Sequence, residues 1–335
     1  MIGSPTYPPH NIKTTLRMVH HVNGDRAERT AIVIAGPTAV GKTSVAIEVA
    51  ERLGCEIVSA DSRQIYSEMC IGTAVPSVEE LRRVRHHFIQ SRSVANSYTA
   101  YDFEHDTLAL LPDLFARCGG RAVVCGGSMM YVGALCNGID DMPTVSNEVR
   151  ESVHSEFDAH GLGHIQRRLK DLDPTYYAQA EASDELQNPR RVMHAIEVSL
   201  QAGVPYSTLC TGESKSRNFG IVKIALVRDR EELYRRIEAR VDQMMALGLL
   251  EEVKRLMPQR GLTTLDTVGY RELFAHLEGK ISLDEAVRQI KRNTRHYAKK
   301  QLTWIKGDKT YNVLNISGKS QSEVVEEVLR IESGN

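Results

Sequence analysis

Short apolar runs alternate with helix-like stretches through the first half of the chain. Ala31-Ile32-Val33-Ile34-Ala35 is unbroken, as in a strand buried on both faces. Residues 44–53 follow with helical spacing. Residues 56–60 read as a second strand that ends at Asp61. Residues 98–117 read as a helix, with Phe103, Leu110, Leu111 and Leu114 placed for the core. Residues 121–125 form another buried strand, running into Gly126-Gly127-Ser128 and a helix from Met129. This βαβα order predicts an α/β fold, a parallel sheet covered by helices on both faces. In such sheets ligands bind beyond the carboxyl ends of the strands. Residues 38–43, Asp61 and residues 126–128 all follow strands and are therefore expected at one rim.

The pattern changes at residues 139–205. They lack strand runs and read as helices broken by Pro143, Gly161, Gly163, Pro174 and Pro189. Residues 219–227 resume a strand, and 231–256 carry a helical core stripe of Leu233, Ile237, Val241 and Met244. A last helix is predicted over 283–306. The expected organisation is a disordered extension over 1–29, a first part of the core over 30–138 and a helical insertion domain over 139–205. The core resumes over 206–316 with a basic C-terminal helix, and 317–335 form a tail or short helix.

At 335 residues, 41% apolar and 25% charged, the chain has the composition of a soluble globular protein. No apolar run approaches the roughly 18 residues of a membrane span. Residues 1–29 lack a continuous apolar stretch, which argues against a secretory signal. The six cysteines form no C-x-x-C pair, so zinc and dithiol sites are not indicated and a reduced, cytoplasmic protein is expected. A net charge of −1 does not announce a nucleic-acid binder, so local charge must decide.

Three stretches carry candidate chemistry. Gly36-Pro37-Thr38-Ala39-Val40-Gly41-Lys42-Thr43 satisfies G-x-x-x-x-G-K-[ST] between a strand and a helix, the required context of a phosphate-binding P-loop. Its glycines let backbone N–H groups converge on phosphate, Lys42 adds a charge, and the Thr43 hydroxyl suits Mg²⁺. Asp61, at a strand end, is either a Mg²⁺ ligand, a general base facing a second substrate, or part of a structural turn. Its neighbours Ser62, Arg63 and Gln64 offer hydrogen bonds to a nucleobase edge. The Gly126-Gly127 turn admits close approach of a ligand or serves packing alone. Between Arg288 and Lys306 there are seven Lys/Arg and no Asp or Glu. Arg288, Arg292, Arg295 and Lys299 share one helix face, a stripe that suits phosphates more than a merely solvated surface. Tyr297 and Trp304 add aromatic surface nearby.

Together these stretches resemble the bacterial tRNA dimethylallyltransferases. The resemblance rests on the P-loop, Asp61-Ser62-x-Gln64-Ile65-Tyr66, Ile71-Gly72-Thr73-Ala74-x-Pro76 and Gly126-Gly127-Ser128-Met129-Met130-Tyr131. It continues through Val268-Gly269-Tyr270-Arg271 and Ala298-Lys299-x-Gln301-Leu302-Thr303-Trp304. It implies a P-loop core with a helical insertion and transfer of a dimethylallyl group, from dimethylallyl diphosphate, to N6 of the adenosine 3′ of a tRNA anticodon. Catalysis would fall to Asp61, Lys42, Thr43 and Arg236, with Arg235 as the neighbouring alternative, and Mg²⁺ would sit at Thr43. The anticodon stem-loop would meet Asp61, Ser62, Arg63, Gln64, Ser128, Arg150, Arg190, Arg191, Gly269, Tyr270, Arg271 and the basic stripe. Ser128 stands where threonine is common, and His194 where arginine is usual. No zinc finger follows, as in the bacterial form, and a monomer is expected. The alternatives are a P-loop small-molecule or nucleotide kinase, which would bind ATP but needs no basic stripe, and a nucleic-acid-binding NTPase switch.

Overall fold

The computed structural model describes residues 29–334, so the extension expected over 1–29 lies almost wholly outside the described residues. Six strands form one parallel sheet. They are β1 (Thr30–Ala35), β2 (Ile57–Ser59), β3 (His86–His87), β4 (Arg121–Gly126), β5 (Gly220–Val227) and β6 (Asn312–Asn315), in the order β3-β2-β4-β1-β5-β6. Successive strand side chains point to opposite faces, and the core divides accordingly. Ile32 and Ile34 join the cluster under α1 (Lys42–Leu53), while Ala31, Val33 and Ala35 join the one under α3 (Ala100–Arg117) and α4 (Met129–Asn137). Ser77 caps the short α2 (Val78–Arg83) in a reciprocal box with Glu80, and Thr99 caps α3 likewise with Asp102.

The register fixes the rim. Ala35 of β1 lies level with Gly126 of β4, and Ser59 of β2 with Cys125. The P-loop, the Gly126 turn and Asp61 therefore leave the sheet side by side, as the βαβα order requires.

Helices α5 (Asn147–His160), α6 (Leu162–Leu172), α7 (Pro174–Ala182), α8 (Pro189–Ala202) and α9 (Tyr206–Leu209) surround a hydrophobic cluster of their own. Pro174 and Pro189 start helices rather than break them, behind the caps Asp173 and Asn188. Gly163 lies inside α6 and breaks nothing. A further cluster gathers α10 (Arg230–Ala246), α11 (Leu249–Leu256), α12 (Tyr270–Leu277) and the front of α13 (Leu283–Gly307). The stretch 231–256 is two helices, because Gly248 turns the chain at φ +97°. The C-terminal stretch ends in α14 (Gln321–Glu332), whose Val324, Val325 and Val328 complete the core over α1.

Candidate active site

The P-loop backbone requires its glycines. A Cβ on Gly36 would lie 2.5 Å from the Leu226 carbonyl oxygen, and Gly41 turns at φ +109° into the first residue of α1. Cations hold the loop's carbonyls. Lys42 Nζ donates to Pro37 O at 2.9 Å, Arg236 Nε to Ala39 O at 2.8 Å and Arg228 Nε to Val40 O at 2.9 Å. Arg240, one turn beyond Arg236 on α10, reaches the Thr38 hydroxyl at 3.5 Å. Arg236 lines the loop's cavity and Arg235 does not. Burial pulls the Lys42 ammonium down to about 8, opposed by its neighbours Cys125 and Asp61 and reinforced by the charge of Arg240. Burial likewise lowers Arg236 and Arg240.

Asp61 begins a turn in which its Oδ1 accepts from the backbone N–H groups of Arg63 at 2.9 Å and Gln64 at 3.3 Å. Two cavities meet there. One, of about 900 Å³, is lined by Gly41, Lys42, Thr43, Gly126, Gly127 and Arg236. The other, of about 260 Å³, is lined by Ser62, Arg63, Val241, Leu249, Val268 and Gly269. Thr38, Asp61, Thr73, Arg240, Met244 and Tyr297 line both. The Tyr297 hydroxyl is pushed up to about 12, first by burial and then by the Asp61 charge.

The two glycine turns are bound into this rim. A Cβ on Gly126 would stand 2.0 Å from Ala60 O, so the β4 turn presses on the residue before Asp61. Ser128 Oγ accepts from the Ser62 N–H at 2.8 Å and lies 3.0 Å from the Ser62 hydroxyl. Gln301 of α13 accepts from the Thr38 N–H at 2.9 Å and donates to Gly127 O at 2.7 Å.

Comparison with known proteins identifies the family. The IPP transferase family model matches residues 64–308. A tRNA dimethylallyltransferase of Azobacteroides pseudotrichonymphae is 47% identical over 284 residues, 85% of this chain and 91% of that protein. The chain belongs to the IPP transferase family. The structure of a tRNA isopentenylpyrophosphate transferase from Bacillus halodurans aligns at a TM-score of 0.66 and 31% identity, covering 92% of this chain and 96% of that one. A eukaryotic dimethylallyltransferase acting on tRNA shares the fold at a TM-score of 0.75 and 24% identity, covering 92% and 80% of the two chains. The kinase alternative is set aside.

In this IPP transferase the residues assigned to tRNA divide. Arg63 and Gly269 line the smaller cavity. Gln64 lines the larger one, but its amide donates to Thr73 O and Ala74 O at 3.2 and 3.0 Å. Arg150, Arg190, Arg191 and Arg271 are exposed. Arg190 and Arg271 both pair with Asp266, and Arg191 pairs with Glu185. Tyr270 is a correction: it is fully buried, and its hydroxyl donates to Glu252 at 2.7 Å, so its side chain reaches no substrate. Ser128 is also buried, its hydroxyl taken up by Ser62.

The basic stripe is not bare. Arg288 pairs with Glu285, and Arg295 with Glu238 of α10 at 2.6 Å beneath the ring of Tyr234. Arg292 and Lys299 are exposed and form no ion pair among the described residues. Trp304 packs on Gly133 of α4 and belongs to the core rather than to an aromatic surface.

Sequence reasoning missed four contributors. Arg240 follows Arg236 by one helical turn, a signal that was present. Arg228 follows β5 directly. Gln301 stands within a motif of the resemblance, where it had no role. Glu252 accepts the backbone N–H groups of Cys70, Ile71 and Gly72 within 3.0 Å and so holds the cavity's loop; nothing local in the sequence marks it.

Proposed function

We propose that this transferase moves the dimethylallyl group of dimethylallyl diphosphate onto N6 of the adenosine 3′ of a tRNA anticodon, releasing pyrophosphate. The carrying observation is Asp61 at the junction of two cavities, with the P-loop and its arginines on one side. A diphosphate held by the loop is a polyphosphate that needs no nucleotide. N6 attacks C1 of the allylic group as the C1–O bond breaks. The bonding pair leaves on the diphosphate oxygen, and the N6 proton passes to Asp61. An adenine amine is a weak nucleophile, its lone pair delocalised into the ring, so a carboxylate that accepts the proton during attack aids it. Lys42, Arg236 and Arg240 supply positive charge where the leaving group becomes negative. The adenosine must leave its stack to reach Asp61, and Tyr297 offers an aromatic wall there.

Mg²⁺ fits this site. The Thr43 hydroxyl lines the loop's cavity beside Lys42, and an ion held chiefly by phosphate oxygens and water needs no carboxylate cage. Among the described residues no cluster of three or more His, Cys, Asp or Glu offers one. Bound there, Mg²⁺ supplies further neutralisation of the departing diphosphate.

The enzyme is proposed to act in the cytoplasm as a monomer. Among the described residues no helix is long and apolar enough to cross a membrane, and all six cysteines are free. The test is mass spectrometry of tRNA nucleosides after incubation with dimethylallyl diphosphate and Mg²⁺. One five-carbon unit on adenosine is the expected product. Unmodified adenosine, or a strict requirement for ATP, would sink the reading.

A further inference from the structure

Among the described residues, Gln301 is the one side chain that bonds the backbones of both glycine turns. It is 3% exposed, on the inner face of α13 between Ala298 and Ile305. Its Oε1 accepts from the Thr38 N–H, inside the P-loop, and its Nε2 donates to the Gly127 carbonyl, in the turn after β4. A backbone N–H needs an acceptor and a carbonyl a donor, so the amide has one workable orientation. Glutamate would accept only, and methionine would do neither.

What lies beyond each end gives the bridge its meaning. The P-loop end carries Lys42 and the diphosphate-facing cations. The Gly127 end is bound to the acceptor turn through the Ser128 N–H, which donates to Ala60 O at 3.2 Å, and through the Ser128 hydroxyl on Ser62. Thr38, Gln301, Gly127, Ser128 and Ser62 thus form one continuous link from the donor loop to Asp61. Gly127 itself is explained by the bridge. A Cβ there would come 2.5 Å from Gln301 Nε2 but only to ordinary contact, 3.5 and 3.6 Å, with Gly36 O and Lys42 Nζ.

We propose that Gln301 is a positioning residue that sets the diphosphate loop at its working distance from the acceptor turn. This rests on the transferase reading above. An in-line displacement depends steeply on the approach of its reacting atoms, and a misplacement of about 1 Å costs on the order of 10²-fold. Gln301 lines the loop's cavity, but both ends of its amide are taken up by the Thr38 N–H and the Gly127 carbonyl, so its loss should slow chemistry while both substrates still bind.

The experiment is single-turnover transfer from preformed enzyme–tRNA complexes at saturating donor, with donor affinity, tRNA affinity and thermal melts measured in parallel. Gln301→Met should transfer on the order of 10²-fold more slowly with tRNA affinity unchanged. Gly127→Ala should reproduce the defect, because its Cβ displaces the amide. The double variant Gly127→Ala/Gln301→Ala removes that clash and should be no slower than Gln301→Ala alone. Wild-type transfer rates in Gln301→Met, tRNA affinity falling in step with rate, or additive slowing in the double variant would each overturn the proposal. If Gln301→Met does not fold, the Gly127 cycle decides. If the wild-type enzyme itself adds no prenyl group, the transferase reading fails instead.

Discussion

Lys42 joins two demands that pull in opposite directions. To stabilise a leaving diphosphate it must be charged, yet burial has brought its ammonium down to about 8. Above that pH the free enzyme holds a neutral amine, and the donor meets a loop short of one positive charge. The kcat/KM for dimethylallyl diphosphate should therefore fall as pH rises through about 8. A bound diphosphate restores the proton by opposite charge, so kcat should hold to higher pH. A kcat/KM profile level from neutral pH to well above 8 would contradict this role. In the proposed reaction Asp61 faces the other substrate. Asp61→Ala should lower transfer by about 10²–10⁴-fold and leave diphosphate binding nearly intact. Loss of donor binding as the main effect would instead make Asp61 a Mg²⁺ ligand.

At the scale of elements, α13 does several things at once. Its inner face supplies Ala298, Gln301 and Ile305 to the core and the rim, and its outer face carries the cations. The cations are unequal. Arg292 and Lys299 are exposed, whereas Arg295 is committed to Glu238 and Tyr234. Removing a cation that neutralises one tRNA phosphate should flatten the log K versus log[salt] slope by about 0.7–0.9. Lys299→Ala should show that change. Arg295→Ala should leave the slope alone and lower the melting temperature slightly, as a partly exposed pair is worth about 0–1 kcal/mol. Equal slope changes in both variants would mean that Glu238 yields Arg295 to the nucleic acid. The sequence pattern finds α13 but not Glu238, because the absence of acids within the helix says nothing of acids on α10. The same limit explains the strands. β1 and β4 are central, buried on both faces, and read as apolar runs, whereas β5 is interrupted by Lys223 and buries only Ile224, Ala225 and Leu226. β3 and β6 are short edges, and His86-His87 or Asn312-Val313-Leu314-Asn315 carries no such signal.

Across the whole molecule, what is legible in the sequence is what a local stretch determines. The P-loop, Asp61 and the Gly126 turn announce themselves, and parallel topology places them at one rim. The partners that hold them do not. Gln301 meets Thr38 across 263 residues, and Glu252 meets Gly72 across 180, so only the folded chain shows them. Tyr270, read as a tRNA contact from its motif, belongs to the same class: its motif serves the core that Glu252 completes. The ion group at Asp266 is the last such long-range contact. Asp266 precedes α12 in the core, yet it pairs both with Arg271 of that helix and with Arg190 of α8, in the helical cluster that follows β4. One carboxylate thus occupies two arginines that the resemblance assigns to tRNA. Arg190 and Arg271 are exposed, so a surface pair of this kind contributes little to stability and can be exchanged for phosphate. Asp266→Asn should leave the melting temperature nearly unchanged, tighten tRNA binding at low salt and steepen its salt slope. Donor binding should not move, because the P-loop lies apart. Weaker tRNA binding with an unaltered slope would show that Asp266 holds the two arginines in place for the RNA, rather than competing with it.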